Sequence, residues 1–308
     1  MGDAKADPVR LSSSQRFVLS VVRTLASLRV LRPRAGHYYS PIPSRKEVRR
    51  HAARIFDRSL RDLPGVDLNV EDQLRLLDQL KEFYGEQPFG ERPRPGMRYS
   101  FGNFFYGCSD AIFLYSIIRF ARPKRIIEIG SGFSSFVMLD TNELFFDSRI
   151  RLTFVEPNAK RLRSRLKPRD REATVIVEKR VQDVELGIFR ELSEGDILFV
   201  DSSHVSKAGS DVNHILFEIL PSLAEGVFIH FHDIHYPFEY PRQWIEYGMS
   251  WNEPYLLHAF LQYNSKFIIR LWNNFLMTFY VDSLRDSMPL CTKPDGFGVG
   301  GSLWLQRV

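Results

Sequence analysis

Six side chains of the kinds that move protons or hold metal ions crowd into two short stretches of the 308-residue chain. They are Asp201 and His204, then His230, His232, Asp233 and His235. Four of the chain's eight histidines are among them. An imidazole titrates near pH 6.5 when unperturbed, so it can take and return a proton around neutrality. Imidazole and carboxylate together can also ligate a divalent ion; such a mixed set suits Mn, Fe or Zn better than Mg, which prefers oxygen. A second group lies upstream. The stretch Glu128-Ile-Gly-Ser-Gly-Phe-Ser-Ser135 combines a carboxylate, two glycines and hydroxyls, and Glu156 and Gln182-Asp183 follow it.

The elements that must position these groups are readable from hydrophobic pattern. Short apolar runs at Arg125–Ile129, Arg151–Val155, Thr174–Val177, Asp196–Val200 and Gly226–His230 read as strands. Helical patterns fall between them, near 134–145, 158–166 and 211–223, with another at 110–120 ahead of the first strand. Strands alternating with helices at this spacing predict an α/β fold, a mostly parallel sheet wound on both faces. Phe267–Trp272 and Ser302–Gln306 read as two late strands forming an antiparallel edge pair. Alternation along the fifth strand sends His230 and His232 to one side and Phe231 to the other.

Three regions follow from the pattern: an arm over 1–36, a helical and irregular extension over 37–108, and the α/β domain over 109–308. Helices are expected at 45–60 and 69–84, the second capped by Asn69 and carrying Leu74, Leu77 and Leu80 on one face. Residues 85–103 are rich in Pro, Gly and aromatics and read as an irregular connection. Residues 1–50 hold eleven Lys and Arg against three Asp and Glu, while the whole chain is only +5. The body is therefore slightly acidic, which argues against a nucleic-acid binder. Within the arm, residues 10–34 form a basic amphipathic pattern suited to an anionic membrane surface or a protein partner. No apolar run is long enough to span a bilayer. Cys108 and Cys291 have no metal-ligand or redox spacing, and a cytoplasmic location, peripheral at most to the inner membrane face, is expected. Oligomeric state is not readable.

In a doubly wound sheet, ligands sit beyond the carboxyl ends of the strands. Those ends carry Glu128, Gly130, Gly132, Ser134, Glu156, Gln182, Asp183 and Asp201, the expected cofactor set. A dinucleotide needs a third glycine where Ser135 stands, and Glu128 would repel its pyrophosphate. S-adenosylmethionine (SAM) reverses the sign, because it has no phosphate and carries a sulfonium and an ammonium group. Glu156 is placed to take both ribose hydroxyls, and Gln182 or Asp183 the adenine amino group.

The stretches Ile127–Ser135, Phe154-Val-Glu-Pro157, Asp196–His204 and Phe231-His-Asp233 resemble the class I SAM-dependent methyltransferases, in particular the bacterial methyltransferase domain 24 type. The likeness runs over roughly 38–308 and implies a Rossmann-like seven-stranded sheet with a reversed final strand. It is also similar to catechol-type O-methyltransferases, which implies Asp201, His232 and Asp233 as a metal set, with His232 in place of an oxygen ligand. His204 then stands where those enzymes carry a lysine base, with Lys207 in reserve; His204 and Asp201 are the expected catalytic pair. Residues 236–264 are expected to wall the acceptor through Arg242, Trp251, Asn252 and Tyr255, in a segment that also holds Tyr240, Trp244 and Glu253. The reading is methylation of a small-molecule or glycan hydroxyl, with a divalent metal (Mg, Mn, Fe or Zn) as a second cofactor. Its rivals are a metal-dependent hydroxylase on the same scaffold and a non-catalytic SAM-binding module at a membrane.

Overall fold

The computed structural model describes residues 33–293 and 300–308. The basic amphipathic segment 10–34 lies almost wholly outside them. Among the described residues, no helix is long and apolar enough to cross a membrane.

A short helix α1 (Arg45–Arg50) and the longer α2 (Val70–Tyr84) precede α3 (Cys108–Ala121). The domain then runs β1 (Arg125–Ile129), α4 (Phe133–Phe145), β2 (Arg151–Val155), β3 (Thr174–Val177), β4 (Ile197–Val200) and β5 (Phe228–Phe231). After β5 come α5 (Arg242–Tyr247), α6 (Glu253–Leu261), β6 (Phe267–Trp272), α7 (Asn273–Phe279) and β7 (Leu303–Arg307). The seven strands form one sheet in the order β3-β2-β1-β4-β5-β7-β6. The first five are mutually parallel, and β7 is antiparallel to both its neighbours. The two late strands thus pair as expected, but β7 inserts between β5 and β6, so only β6 forms the edge.

The central strands are covered on both faces, which is why β4 and β5 are buried at every position and are apolar except at His230. The edge strand β6 is protected by the extension. Gln73 accepts from the Trp272 amide at 2.8 Å, and Asn69 donates its side-chain amide to the Ile269 carbonyl at 3.0 Å. Asn69 was expected to cap α2; instead it sits in the left-handed region (φ 51°) and spends its side chain on the sheet. Asn69 remains at the N-cap position, and its side-chain bond helps cover a strand edge that would otherwise invite foreign pairing. The helix expected at 158–166 shrinks to Lys160–Arg163, since Lys160, Arg161, Arg163, Arg165 and Lys167 repel one another at helical spacing. The pattern at 45–60 stops at Ile55.

One buried cation fastens the irregular connection to the sheet domain. Arg98 pairs with Asp140 at 2.6 Å, Asp170 at 2.7 Å and Glu143 at 2.9 Å, and all but Glu143 are nearly sealed from solvent. Removing one partner of a buried ion pair leaves uncompensated charge. Arg98→Met is therefore expected to cost about 3–5 kcal/mol in urea unfolding, with Asp140→Asn in the same background recovering part of it. A loss below 1 kcal/mol, roughly the worth of a surface pair, would reduce the cluster to a surface-type contact.

Candidate functional site

Two cavities open beyond the carboxyl ends of the parallel strands. One, of about 440 Å³, is lined by Gly130, Glu156, Gln182, Asp201, Lys207 and neighbouring residues. The other, of about 470 Å³, is lined by Asp110, His232, Asp233, His235, Trp244 and Trp251, with the aromatics 104–105 at its side. Both lie within the size range of small-molecule sites.

The first cavity is built on the β1 turn. Gly130 has φ 83°, and a Cβ there would lie 2.0 Å from the Asp201 carbonyl oxygen, so only glycine lets β1 and β4 stay paired to their ends. A Cβ at Gly132 would instead enter open space. Glu156 is half-buried and each carboxylate oxygen accepts one backbone N–H, Ser131 at 3.0 Å and Asn158 at 2.7 Å. A carboxylate can accept about four hydrogen bonds, so capacity for two ribose hydroxyls remains. These features fit SAM. Gln182 lines the cavity and donates to the Gly209 carbonyl at 2.8 Å. Asp183 does not line it; it is exposed and paired with Arg180 at 2.8 Å.

Glu128 and Ser134 lie under the turn, not in the cleft. Glu128 is fully buried and accepts from the Ser134 and Ser135 hydroxyls, and Ser135 accepts from the Gly132 amide at 3.0 Å. Burial pushes the Glu128 carboxyl up to about 8, despite the two hydroxyls that favour its charged form. Its direct partners are hydroxyls of the turn, so the expected contact with the cofactor becomes support of the loop from below.

Titratable groups gather around His204, which lines neither cavity but lies near one carboxylate from each, and this cluster forms a junction between them. His204 is buried; its Nε2 lies 3.5 Å from Asp201 Oδ1 and 3.6 Å from Asp233 Oδ2, while Nδ1 lies 2.8 Å from Glu253 Oε2. Asp201 lines the first cavity and Asp233 the second. His204 (φ 59°) and Asp233 (φ 58°) both adopt left-handed backbone, a strained choice that for histidine clusters at functional sites. Burial alone would lower the His204 pKa, but hydrogen bonds to Asp201 and Glu253, with the charge of Asp233, hold it well above 6.5. Asp201 is held below the usual carboxylate range by His204 and His232 despite burial. Burial and the carboxylates Asp201 and Asp110 raise Asp233.

Several expected residues take other places. The metal set does not converge: His232 Nε2 faces Asp233 Oδ1 at 3.6 Å, whereas Asp201 and the other Asp233 oxygen face the His204 ring nitrogen. An imidazole occupies the position between the two carboxylates. Among the described residues no three His, Cys, Asp or Glu are arranged to hold an ion. His230 is sealed in the sheet against Phe199 (3.9 Å) and Trp304 (4.7 Å), where burial keeps it neutral. Of the four expected acceptor contacts only Trp251 lines the second cavity. Arg242 is exposed and paired with Glu246, and Tyr255 is exposed and donates to Glu239. Asn252 braces the 201–207 loop through the Ser206 amide (2.6 Å) and carbonyl (3.2 Å). Lys207 lines the first cavity rather than the junction. Sequence reasoning missed Asp110 and Asn103–Phe105 as lining groups. It also put Glu253 in the acceptor wall, where the structure pairs it with His204.

Residues 127–234 match the methyltransferase domain family. An uncharacterized protein of Archaeoglobus fulgidus is 36% identical over 167 residues, covering 53% of this chain and 74% of that protein. The chain belongs to the methyltransferase domain family. Among solved structures, this methyltransferase is similar to an SAH-bound Podospora anserina methyltransferase (14% identity, 87% of this chain and 99% of that one, TM-score 0.42). It is also similar to CmcI with Mg and SAM (15% identity, 82% and 88%, TM-score 0.37).

The buried Glu128 carries a pH signature. Its folded pKa lies above the unfolded value, so between about 4.5 and 8 the folded state binds a proton the unfolded chain has lost. Its contribution to stability is fully present below pH 4.5 and falls as pH rises through that window. The melting temperature of the ligand-free wild type, measured against Glu128→Gln from pH 5 to 9, is expected to decline relative to the variant. Parallel pH profiles would show that Glu128 is ionised in the folded state.

Proposed function

We propose that this methyltransferase moves the methyl group to an oxygen, the hydroxyl of a small molecule or sugar, with His204 as the base. The observation that carries the reading is the junction itself: His204 Nε2 lies within 3.6 Å of one carboxylate from each cavity. SAM, held by Glu156, Gln182 and the Gly130–Gly132 turn, supplies the methyl carbon. An acceptor in the second cavity brings its hydroxyl beside Asp233 and His204. The neutral His204 Nε2 takes the hydroxyl proton as the new carbon–oxygen bond forms and the methyl–sulfur bond breaks, its electron pair leaving on the thioether of S-adenosylhomocysteine (SAH). Glu253 holds Nδ1, fixing the ring's orientation and stabilising the imidazolium, as the carboxylate does in a serine-protease triad. Asp201 and Asp233 orient the hydroxyl on the shared side. No step passes through a metal, because the donor set as arranged does not fit one.

The resting imidazole is protonated below its raised pKa, so the base form is gained as pH increases. The acidic limb of kcat/KM is thus expected above the ordinary histidine value of about 6.5. Glu253→Gln removes a charge that favours the imidazolium, so the limb should move to lower pH. His204→Ala should lower kcat by about 10²–10⁴-fold with little change in SAH affinity, and a variant within tenfold of wild type across pH 6–9 would remove the base. Dialysis against EDTA should leave activity within about twofold; a loss restored by Mg or Mn would return Asp201 and Asp233 to a metal.

Glu156→Ala should weaken SAH binding by about 10–100-fold, the worth of two charge-assisted hydrogen bonds. Unchanged affinity by calorimetry would move the ribose elsewhere.

A further inference from the structure

The second cavity has a wall chemistry that selects among acceptors. Its apolar side is a corner of two indoles, Trp244 and Trp251, with ring centroids 5.6 Å apart and planes at 80°. Trp251 also lies against the His204 ring at 4.7 Å, so a ring packed in this corner sits next to the proton acceptor. The polar side is Asp110, Asp233, His232 and His235.

Two properties of the polar side are decisive. No lysine or arginine is among the described lining residues, and the adjoining segment 294–299 contains none in sequence. Arg58 depresses His235 from a distance but does not line the cavity. Asp110 Oδ1 is taken up by the Asn273 side chain (2.8 Å), the Gly301 amide (3.1 Å) and the Ser302 hydroxyl, while Oδ2 has no hydrogen-bond partner among the described residues. Among the described lining residues the wall therefore sets two carboxylates, Asp110 and Asp233, against one imidazole of raised proton affinity, His232, and no lysine or arginine.

The second property is unmet hydrogen bonding. His232 Nδ1 and His235 Nε2 are buried without a partner among the described residues. His235 is neutral at working pH, its pKa pushed down to about 3 by burial and by Arg58, so its ring has one donor and one acceptor. A buried polar atom left unpaired is costly, and a hydroxyl can satisfy such a nitrogen in either tautomer because it both donates and accepts.

Resting on the O-methyltransferase reading, we propose that the acceptor is an uncharged ring compound. It carries at least one hydroxyl beyond the one methylated, which pairs with His232 or His235 while the ring packs in the Trp244–Trp251 corner. Acceptors bearing a carboxylate or phosphate on that ring are rejected by Asp110 and Asp233.

The test uses SAH-loaded protein and matched ligands that differ by one acidic group. The pairs are catechol against 3,4-dihydroxybenzoate, and methyl glucoside against methyl glucuronide and the glucoside 6-phosphate. By calorimetry, the neutral member of at least one pair is expected to bind about 100-fold more tightly than its acid, as unscreened like charge at a few ångströms requires. His235→Phe should weaken the neutral ligand about 3–10-fold, the loss of one net hydrogen bond. Met249→Arg, at the partly exposed edge of the cavity, should narrow the gap by admitting the acid. Equal or tighter binding of the acids, or no binding by either neutral ring, overturns the proposal. Failure of SAH itself to bind, or no methyl release from SAM with any hydroxyl acceptor, counts instead against the methyltransferase site as assigned.

Discussion

The site depends on one buried pairing, His204 with Glu253. Glu253 is 1% exposed, and a carboxylate that deep is tolerated only when its charge and lone pairs are met. His204 Nδ1 meets one oxygen at 2.8 Å and the Ser202 hydroxyl the other at 3.0 Å. The same two segments are stitched by backbone: the amides of Asn252 and Glu253 both donate to the His204 carbonyl. This seam joins the loop after β4 to the N-terminus of α6, which belongs to the insertion following β5. The seam holds the His204 ring beside Asp201, which lines the first cavity, and Asp233, which lines the second.

The parallel sheet supplies the rest of the geometry. β1 and β4 are neighbours and end together, because Gly130 lets the Asp201 carbonyl approach where any side chain would collide. β5 lies on the other side of β4, so Asp201 and Asp233 leave adjacent strands and converge from either side on His204. The order of strands thus decides which carboxylate faces which cavity. The reversed strand β7 closes the second cavity through the turn ahead of it, where Gly301 leaves no room for a Cβ beside Asp233, which would lie 2.9 Å away.

Much of this was legible because it is local. The five apolar runs and the glycine turn are contiguous patterns, and the strand-end acids Glu156 and Asp201 follow from their positions in those patterns. What escaped depends on contacts between distant segments. Nothing in the neighbourhood of Asn69 says that Ile269 needs a donor, so capping was the natural expectation. Arg242 and Tyr255 have the chemistry of acceptor contacts, yet a helix face decides direction, and theirs points to solvent. Asp110 sits in an apolar helix and looks like an ordinary first-turn acid. Its value comes from Asn273, Gly301 and Ser302, more than 160 residues later. His232 beside Asp233 reads as a ligand pair in sequence, but its Nε2 faces one Asp233 oxygen while the other oxygen and Asp201 face His204, so the three share no single point.

The charge balance at the junction follows from the same arrangement. Asp201, Asp233 and Glu253 all face His204, and Asp233 also faces His232, so three carboxylates meet two imidazoles. The cluster responds by shifting proton affinities in opposite directions: His204 and His232 upward, Asp233 upward as well, and Asp201 downward. Asp201, the carboxylate that lines the first cavity, keeps its charge most readily. A cationic methyl donor approaching from that side would meet a fixed negative group. Asp233, which lines the second cavity, is the one whose charge is least secure, and a hydroxyl there could share its hydrogen bonds without adding to the negative charge. The asymmetry between the two aspartates gives each cavity its own electrostatic character, although both carboxylates touch the same imidazole.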